Sequence, residues 1–226
     1  QQPAVPQNVS SACQQEIIKL SSSSDLANCA SFVKLYPLQN ATIQNATSIY
    51  DSYCAAPKCS DSITSADAAE LKNQCQSELA MKDPTTSYLK TILVFNSPVR
   101  DSLCFKNSSG GYCDLDDNSA AVFNYLLGLS YTQPTNLSCS DCNKAILNTF
   151  ANFFKSNPQS VADLSIDPTS FESFVTSKCG SSFLDGTVPN TSSPPKKSSG
   201  ISIHSLSFIG FTMFAASFIS LIVYVI

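Results

Sequence analysis

Apolar residues recur every three or four positions along most of residues 11–186, a spacing that places them on one face of an α-helix. Seven such stripes follow one another: Cys13, Ile17 and Leu20; Leu26, Cys29, Val33 and Tyr36; Ala68, Leu71, Cys75 and Leu79; Tyr88, Ile92 and Phe95; Val122, Leu126 and Leu129; Cys142, Ile146, Phe150 and Phe153; and Phe171, Phe174 and Val175. Cysteines on these stripes are placed to join helix to helix. The pattern predicts a single all-α domain over residues 11–186, long enough to bury a core.

Several residues at the ends of the stripes indicate where helices begin and stop. Ser65 is a candidate N-cap for the third stripe, and Pro84 precedes the fourth. Ser138, with Asp141 three residues later, resembles a capping box for the sixth stripe. Gly180, directly after Cys179, is expected to end the last helix.

One short stretch departs from helical spacing. Cys104 and Cys113 flank a turn-rich segment, residues 107–111, that contains two glycines. Such a segment brings two short strands face to face. We therefore predict a small β-hairpin near 103–115, with these two cysteines as a plausible disulfide.

The cysteine pattern indicates an oxidising compartment. The chain has ten cysteines, an even number, which predicts five disulfides: Cys13, Cys29, Cys54, Cys59, Cys75, Cys104, Cys113, Cys139, Cys142 and Cys179. Five precede Leu79 and five follow Val99, so each half holds an odd number. If all ten pair within the chain, at least one bridge joins the halves, which favours one domain over two.

Cys139 and Cys142 have C-x-x-C spacing. This spacing occurs in thioredoxin-like redox pairs and in halves of zinc sites. No alternating strand–helix pattern surrounds it, and the sequence has no second C-x-x-C. We therefore favour two framework cysteines at a helix start, each bonded elsewhere.

The carboxyl-terminal segment, residues 201–226, has no Asp, Glu, Lys or Arg and is almost wholly apolar from Leu206. Small residues at 198–200 and a polar, Pro-rich stretch precede it, the pattern of a glycosylphosphatidylinositol (GPI) signal whose tail is removed. We expect attachment at Ser198, with Asn190 as the alternative. A retained single span is less favoured, because no Lys or Arg follows Ile226.

The remaining segments fit passage through the secretory pathway. The sequence starts at Gln1 without Met, so we expect a signal peptide to have been removed. Residues 1–10 are expected to be a flexible amino terminus and 187–200 a Pro/Ser-rich stalk that carries the attachment site. Six N-x-S/T sequons predict N-glycosylation: Asn8, Asn40, Asn45, Asn107, Asn136 and Asn190.

Composition excludes several function classes. Charged residues make up 13%, the net charge is −4 and the basic residues are scattered, so no nucleic-acid partner is expected. The one histidine, His204, lies in the tail, which removes Ser-His-Asp triads, Cys-His pairs and His-ligated metals from the rest of the chain. The sequence has no Trp. We expect no cofactor and no metal.

The acidic and aromatic residues leave two alternatives to weigh. The run Asp114–Asn118 lacks the glycine and closing glutamate of an EF-hand loop, so we expect Asp117 or Asn118 to cap the next helix instead. The aromatic stripe Phe150, Phe153 and Phe154 is compatible with a lipid pocket, but ordinary core is favoured.

Motifs in the second half resemble a known group of sequences. They are Arg100–Lys106, Gly111–Cys113, Cys139–Lys144 and Cys179–Gly186, with Cys13, Cys29, Cys54, Cys59 and Cys75 fitting more loosely. The chain thereby resembles fungal secreted proteins with an uncharacterised Cys-rich domain and a GPI signal. The resemblance implies a fungal cell surface and an extracellular helical domain, and no established activity or catalytic residue.

Together these observations favour a non-enzymatic, GPI-anchored glycoprotein in wall organisation or surface interaction. Its expected partners are the membrane, through the GPI lipid, and cell-wall glucan. The second hypothesis is an extracellular carrier of a small hydrophobic ligand such as a sterol or fatty acid. The third is a wall-polysaccharide enzyme that uses two carboxylates, although no motif singles out a pair.

Overall fold

The computed structural model describes residues 9–40, 43–115, 117–127, 134, 136–161 and 167–189. Its chain divides into two compact units, one reaching Arg100 and the other beginning at Asp101. Among the described residues all regular elements are helical, which confirms the predicted all-α class.

The first unit contains α1 to α6, with a 3-10 segment between α2 and α3. The bounds are α1 Ser11–Ser21, α2 Ser24–Ala27, the 3-10 segment Phe32–Asn40, α3 Ile43–Ala55, α4 Asp61–Gln74, α5 Gln76–Ala80 and α6 Pro84–Val94. The division between the units falls within α7, Asn96–Leu103. The second unit continues with the 3-10 segment Cys113–Leu115, α8 Asp117–Leu126, α9 Asp141–Ser156, α10 Pro158–Val161 and α11 Pro168–Cys179.

In the first unit α4 packs against α1 and α6. The predicted stripes supply buried side chains: Cys13, Ile17 and Leu20 on α1, Ala68 and Leu71 on α4, and Tyr88 and Ile92 on α6. Leu89 and Leu93 of α6 are buried as well, although no predicted stripe contained them. Burial of each large apolar side chain contributes roughly 1.5–3 kcal/mol. The Cys13–Cys75 disulfide then links α1 to the end of α4.

In the second unit α9 contacts α8, α10 and α11. An unbroken series of edge-to-face aromatic contacts runs from Phe123 to Phe150, from Phe150 to Phe154 and from Phe154 to Phe171, with ring centroids 6.0–6.1 Å apart. Such pairs add stability beyond their buried area. Phe150 and Phe154 are therefore core residues, as the sequence favoured.

Two predicted helix starts are wrong. Ser65 lies inside α4, whose N-cap is Ser60. α9 is capped by Ser140, which accepts from the amide of Asn143, and not by Ser138. This chain is rich in serine, so several hydroxyls stand near each helix start, and tertiary packing decides which one caps.

The second and third stripes are shorter as helices than predicted. α2 ends at Ala27, and the rest of the second stripe enters the 3-10 segment, which contains Pro37. The third stripe breaks at Cys75, where α4 ends and α5 begins. α3 and α7 were not predicted at all, and Leu129 lies outside the described residues.

The predicted hairpin is a loop closed by one antiparallel bridge between Lys106 and Tyr112. The amide of Asn107 donates to the carbonyl of Gly111 at 2.8 Å, which forms the turn. The expected Cys104–Cys113 disulfide is wrong, because Cys113 is bonded to Cys142 of α9. Cys113 begins a 3-10 segment that packs on α8, and it is fully buried.

Candidate functional site at the carboxyl end of the second unit

All ten cysteines are disulfide-bonded, in five bridges. Four bridges have Cα–Cα distances of 4.7–5.6 Å: Cys13–Cys75, Cys29–Cys59, Cys113–Cys142 and Cys139–Cys179. Cys54 and Cys104 are disulfide-bonded as well. Disulfide bonding, predicted from the even cysteine count, is confirmed.

The two cysteines of the C-x-x-C motif bond elsewhere, as the framework interpretation requires. Cys142 pairs with Cys113 and Cys139 pairs with Cys179. The ligand atoms of Cys13, Cys75 and Glu78 lie within 4.8 Å of one another, as in a metal site. The two sulfurs form a disulfide, so no thiolate is present to bind a metal.

A polar stripe on α9 holds the segment that follows α11. Its members, Lys144, Asn148 and Asn152, are four residues apart and therefore lie on one helix face. They contact residues 183–186, which we call the exit segment. The predicted stalk begins directly after it, at Thr187.

Asn148 is the centre of this attachment and is fully buried. Its Nδ2 donates to the carbonyl of Phe183 at 2.9 Å, and its Oδ1 accepts from the amide of Gly186 at 2.7 Å. A second bond from Nδ2 reaches the carbonyl of Lys144 at 2.9 Å. The amide side chain thus uses three bonds to fix two points of the exit segment on α9, and buried bonds of this kind are costly to break.

Two outer contacts flank Asn148. Lys144 Nζ lies 2.8 Å from Asp185 Oδ2, and this hydrogen bond lowers the pKa of the Asp185 carboxyl. Asn152 Nδ2 donates to the carbonyl of Gly186 at 3.0 Å. Both contacts are exposed to solvent, where ion pairs contribute little. Asn148 therefore contributes most to the attachment, and the apolar side chain of Phe183 is buried beside it.

Asn118 takes part in a second amide network. Contrary to the prediction, neither it nor Asp117 is the N-cap of α8, because Asp117 is the first residue of that helix and Asn118 the second. Its Oδ1 accepts from the amide of Ser138 at 3.0 Å and from Asn143 Nδ2 at 2.7 Å. Asn143 also donates to the carbonyl of Ser138 at 2.8 Å. These bonds hold the segment that precedes α9.

In the first unit a buried carboxylate, that of Glu78, also holds a backbone segment by a hydrogen bond. Glu78 is 2% exposed, and its Oε1 accepts from the amide of Ser10 at 2.8 Å, while Oε2 accepts from the hydroxyl of Ser77. The bond from Ser10 is the main reason that the pKa of Glu78 is lowered to about 2. Since Ser10 is the N-cap of α1, Glu78 fixes the start of that helix.

The predicted sequons fall in varied settings. Asn45 in α3 and Asn136 are exposed, whereas Asn107 is partly buried and its Oδ1 accepts from the amides of Ser109 and Gly111. Asn40 is the last residue of its 3-10 segment. Asn8, Asn190, the attachment residue Ser198 and the tail 201–226 lie outside the described residues.

The structure also describes part of the acidic run and helices whose length and apolar character can be compared with those of a membrane span. Asp114 of the acidic run is buried in a 3-10 segment. None of the helices described by the structure has the length and apolar character needed to cross a membrane. The polar stripe of α9 and Glu78 were missed from the sequence. The four-residue spacing of Lys144, Asn148 and Asn152 can be seen in the sequence, but the sequence does not show that these residues contact residues 183–186.

The sequence matches one family model over most of its length. No curated protein and no solved structure matches the chain. A family model, described as Domain of unknown function (DUF7729), matches residues 2–188, which is most of the chain. The protein therefore belongs to the DUF7729 family.

Proposed function

We propose that this protein is a non-enzymatic cell-surface glycoprotein of a fungus, held on the outer face of the plasma membrane by a GPI lipid at Ser198. Its role is in wall organisation or surface interaction. The observation that carries the proposal is the exit segment. The structure fastens residues 183–186 to α9 immediately before the stretch whose sequence is typical of a stalk and anchor signal.

In a membrane-anchored protein, the contact between the exit segment and α9 lies where force from the anchor reaches the folded unit. Any pull transmitted along a stalk enters the folded unit at Gly186, where Asn148 binds the backbone. The Cys139–Cys179 disulfide lies a few residues further in and ties the end of α11 to the start of α9. The base of the stalk is thus held by one covalent bond and one buried side chain.

The disulfide content supports the same proposal. Five disulfides are typical of chains that fold in an oxidising compartment. The low charged fraction, 13%, leaves a surface of hydroxyl and amide groups that suits a glycosylated protein. The absence of histidine from residues 1–200 supports the non-enzymatic role.

Mass mapping of the carboxyl end tests the anchor directly. An Asp-specific endoprotease cleaves before Asp185, and no acidic residue follows it. We expect the peptide 185–198 carrying an ethanolamine remnant at Ser198 in protein purified from membranes. A peptide of 185–190 would move the attachment to Asn190. A peptide that runs into residues 201–226 would show a retained apolar segment and overturn the proposal.

A pair of variants tests whether the apolar character of the tail directs GPI attachment. Replacing Phe214 and Phe218 by Lys puts charge in the tail and should abolish the ethanolamine-bearing peptide. Replacing both by Leu keeps the tail apolar and should leave it in place. Truncation after Gly200 should send the protein into the medium. Retention of that truncated chain on cells would show that attachment does not depend on the tail.

Native mass spectrometry of the deglycosylated protein distinguishes the surface role from a carrier of small hydrophobic ligands. We expect a mass equal to that of the polypeptide and its modifications. A stoichiometric additional mass that extracts into organic solvent would instead support the carrier.

A further inference from the structure

The disulfides differ in their access to solvent. Cys13, Cys75 and Cys113 are completely buried, and Cys29, Cys59 and Cys142 are no more than 9% exposed. Cys139 is exposed, and it alone is exposed among the ten cysteines, all of which the structure describes. Its partner Cys179 is partly exposed.

Access matters because a disulfide is opened by a thiolate that approaches one sulfur from the side opposite the other. Buried disulfides cannot be approached in this way unless the fold opens first. The Cys139–Cys179 bond lies between the residue before the N-cap of α9 and the last residue of α11, so neither sulfur belongs to the interior of a helix.

We propose that Cys139–Cys179 is a thiol-exchange site that reacts selectively with external low-molecular-weight thiols of the glutathione class. Cys139 is the more exposed residue of the pair, and we assign its sulfur as the one that receives the thiolate. The site goes beyond the anchored surface role and does not depend on it.

The exchange is balanced with a single thiol. The external thiolate attacks Sγ of Cys139, a new S–S bond forms there, and the bond from Cys139 to Cys179 breaks. Cys179 leaves as a thiolate and takes up the proton that the external thiol released. The products are a mixed disulfide at Cys139 and a thiol at Cys179, with no net oxidation or reduction. The reverse attack by Cys179 restores the original bond.

Opening this bond has a local consequence. The end of α11 is no longer covalently tied to the start of α9, and the hydrogen bonds from Asn148 to Phe183 and Gly186 remain. The Cys113–Cys142 disulfide, which is buried, stays closed and continues to link α9 to the loop before α8. The modification therefore loosens the base of the exit segment and leaves the core of the unit intact.

The test uses the full chain, purified without reductant, deglycosylated and incubated with reduced glutathione under native conditions. Samples are quenched with acid, alkylated and mapped by peptide mass over time. We expect the first adduct at Cys139 and the first free thiol at Cys179. Their appearance should be at least about tenfold faster than reaction at Cys13, Cys75, Cys113 or Cys142. Equal rates at the buried cysteines, or earlier reaction at Cys54 or Cys104, would overturn the proposal.

Two double variants assign the fast reaction. Cys139→Ser with Cys179→Ser should eliminate the fast adduct, whereas Cys29→Ser with Cys59→Ser should retain it. A fast adduct that persists in the first variant would contradict the assignment. If either variant fails to fold, the site-resolved rates on the unaltered chain decide the question by themselves. The rate should also rise with pH, because the thiolate is the attacking species.

Discussion

The two units fasten their chain segments with different chemistry. The first unit fixes the start of α1 with the buried carboxylate of Glu78, whereas the second fixes its exit segment with the neutral amide of Asn148. Each side chain binds backbone groups that the local helix leaves available. The stability that Glu78 contributes therefore depends on pH, whereas the stability that Asn148 contributes does not, because a carboxylate titrates and an amide does not.

Their interiors differ as well. The first unit buries the rings of Tyr50, Tyr53 and Phe95 together with aliphatic side chains. The second unit contains a continuous series of edge-to-face ring contacts centred on Phe150.

The largest effect is expected at the aromatic core. Phe150→Ala removes a fully buried ring that touches Phe123 and Phe154, and we expect a loss of about 3–5 kcal/mol in the free energy of unfolding. Denaturant titration followed by circular dichroism measures it. Phe153→Ala, on the same helix but partly exposed, is the matched control and should lose much less. Equal losses would show that the ring series is not the core of the unit.

Replacing the buried amide of Asn148 by a carboxylate tests whether the exit segment depends on a neutral side chain at this position. Asn148→Asp places an anion opposite the carbonyls of Lys144 and Phe183, and we expect a loss of about 2–4 kcal/mol at neutral pH. Amide exchange of Gly186 should accelerate. The exposed Asn152→Asp is the control, with a loss below about 1 kcal/mol.

The pH dependence of this variant has a defined sign. Burial opposite carbonyls raises the pKa of the new carboxyl in the folded state. The loss should therefore shrink as pH falls through that raised pKa, and disappear near the ordinary value of about 3.9. A loss that is constant with pH would mean that the side chain has moved out into water.

Glu78 should behave in the opposite way. Its folded pKa of about 2 lies below the ordinary value of 4.5, so its contribution is fully present above about pH 4.5 and is lost as pH falls towards 2. Glu78→Gln should cost about 1–3 kcal/mol at neutral pH and flatten the stability profile between those limits. Exposed Glu172→Gln should change neither. An unchanged acid profile in Glu78→Gln would show that this carboxylate does not stabilise the start of α1.

Two helix ends differ in the residue that follows them with a positive φ. Lys82, two residues after α5, has φ 56°, and Gly180, directly after α11, has φ 85°. The amides of Lys82 and Asp83 donate to the carbonyls of Leu79 and Glu78, the pattern of a Schellman motif that usually has glycine. Lys82→Gly should therefore stabilise the protein by about 0.5–1 kcal/mol in denaturant titration.

Gly180→Ala should change the free energy of unfolding in the opposite direction. A Cβ at Gly180 would meet no atom within 4 Å, so its cost is purely that of the backbone conformation. With ψ at 161°, that conformation is essentially limited to glycine, and we expect a loss of about 1–3 kcal/mol. Stabilisation by Gly180→Ala, or destabilisation by Lys82→Gly, would contradict the dihedral argument.

Much of the fold could be predicted from particular residues. The stripe of α1 and that of α9 are helical with the predicted residues buried, and Gly180 ends α11 as expected. Helix period, proline and glycine are local signals, so they can be interpreted without knowing the fold. The caps Ser60 and Ser140 could not be chosen locally, because neighbouring serines offer the same hydroxyl.

The candidate site shows where local information ends. The amino-acid sequence was enough to predict the helical class, the disulfide-bonded state of the cysteines and the framework role of the C-x-x-C pair. The folded structure was needed to show that Cys113 bonds to Cys142, that Asn148 holds the exit segment and that Glu78 is charged while buried. Periodicity and cysteine parity depend on neighbours along the chain. Disulfide partners and a lowered pKa depend on atoms far apart in sequence, which only folding brings together.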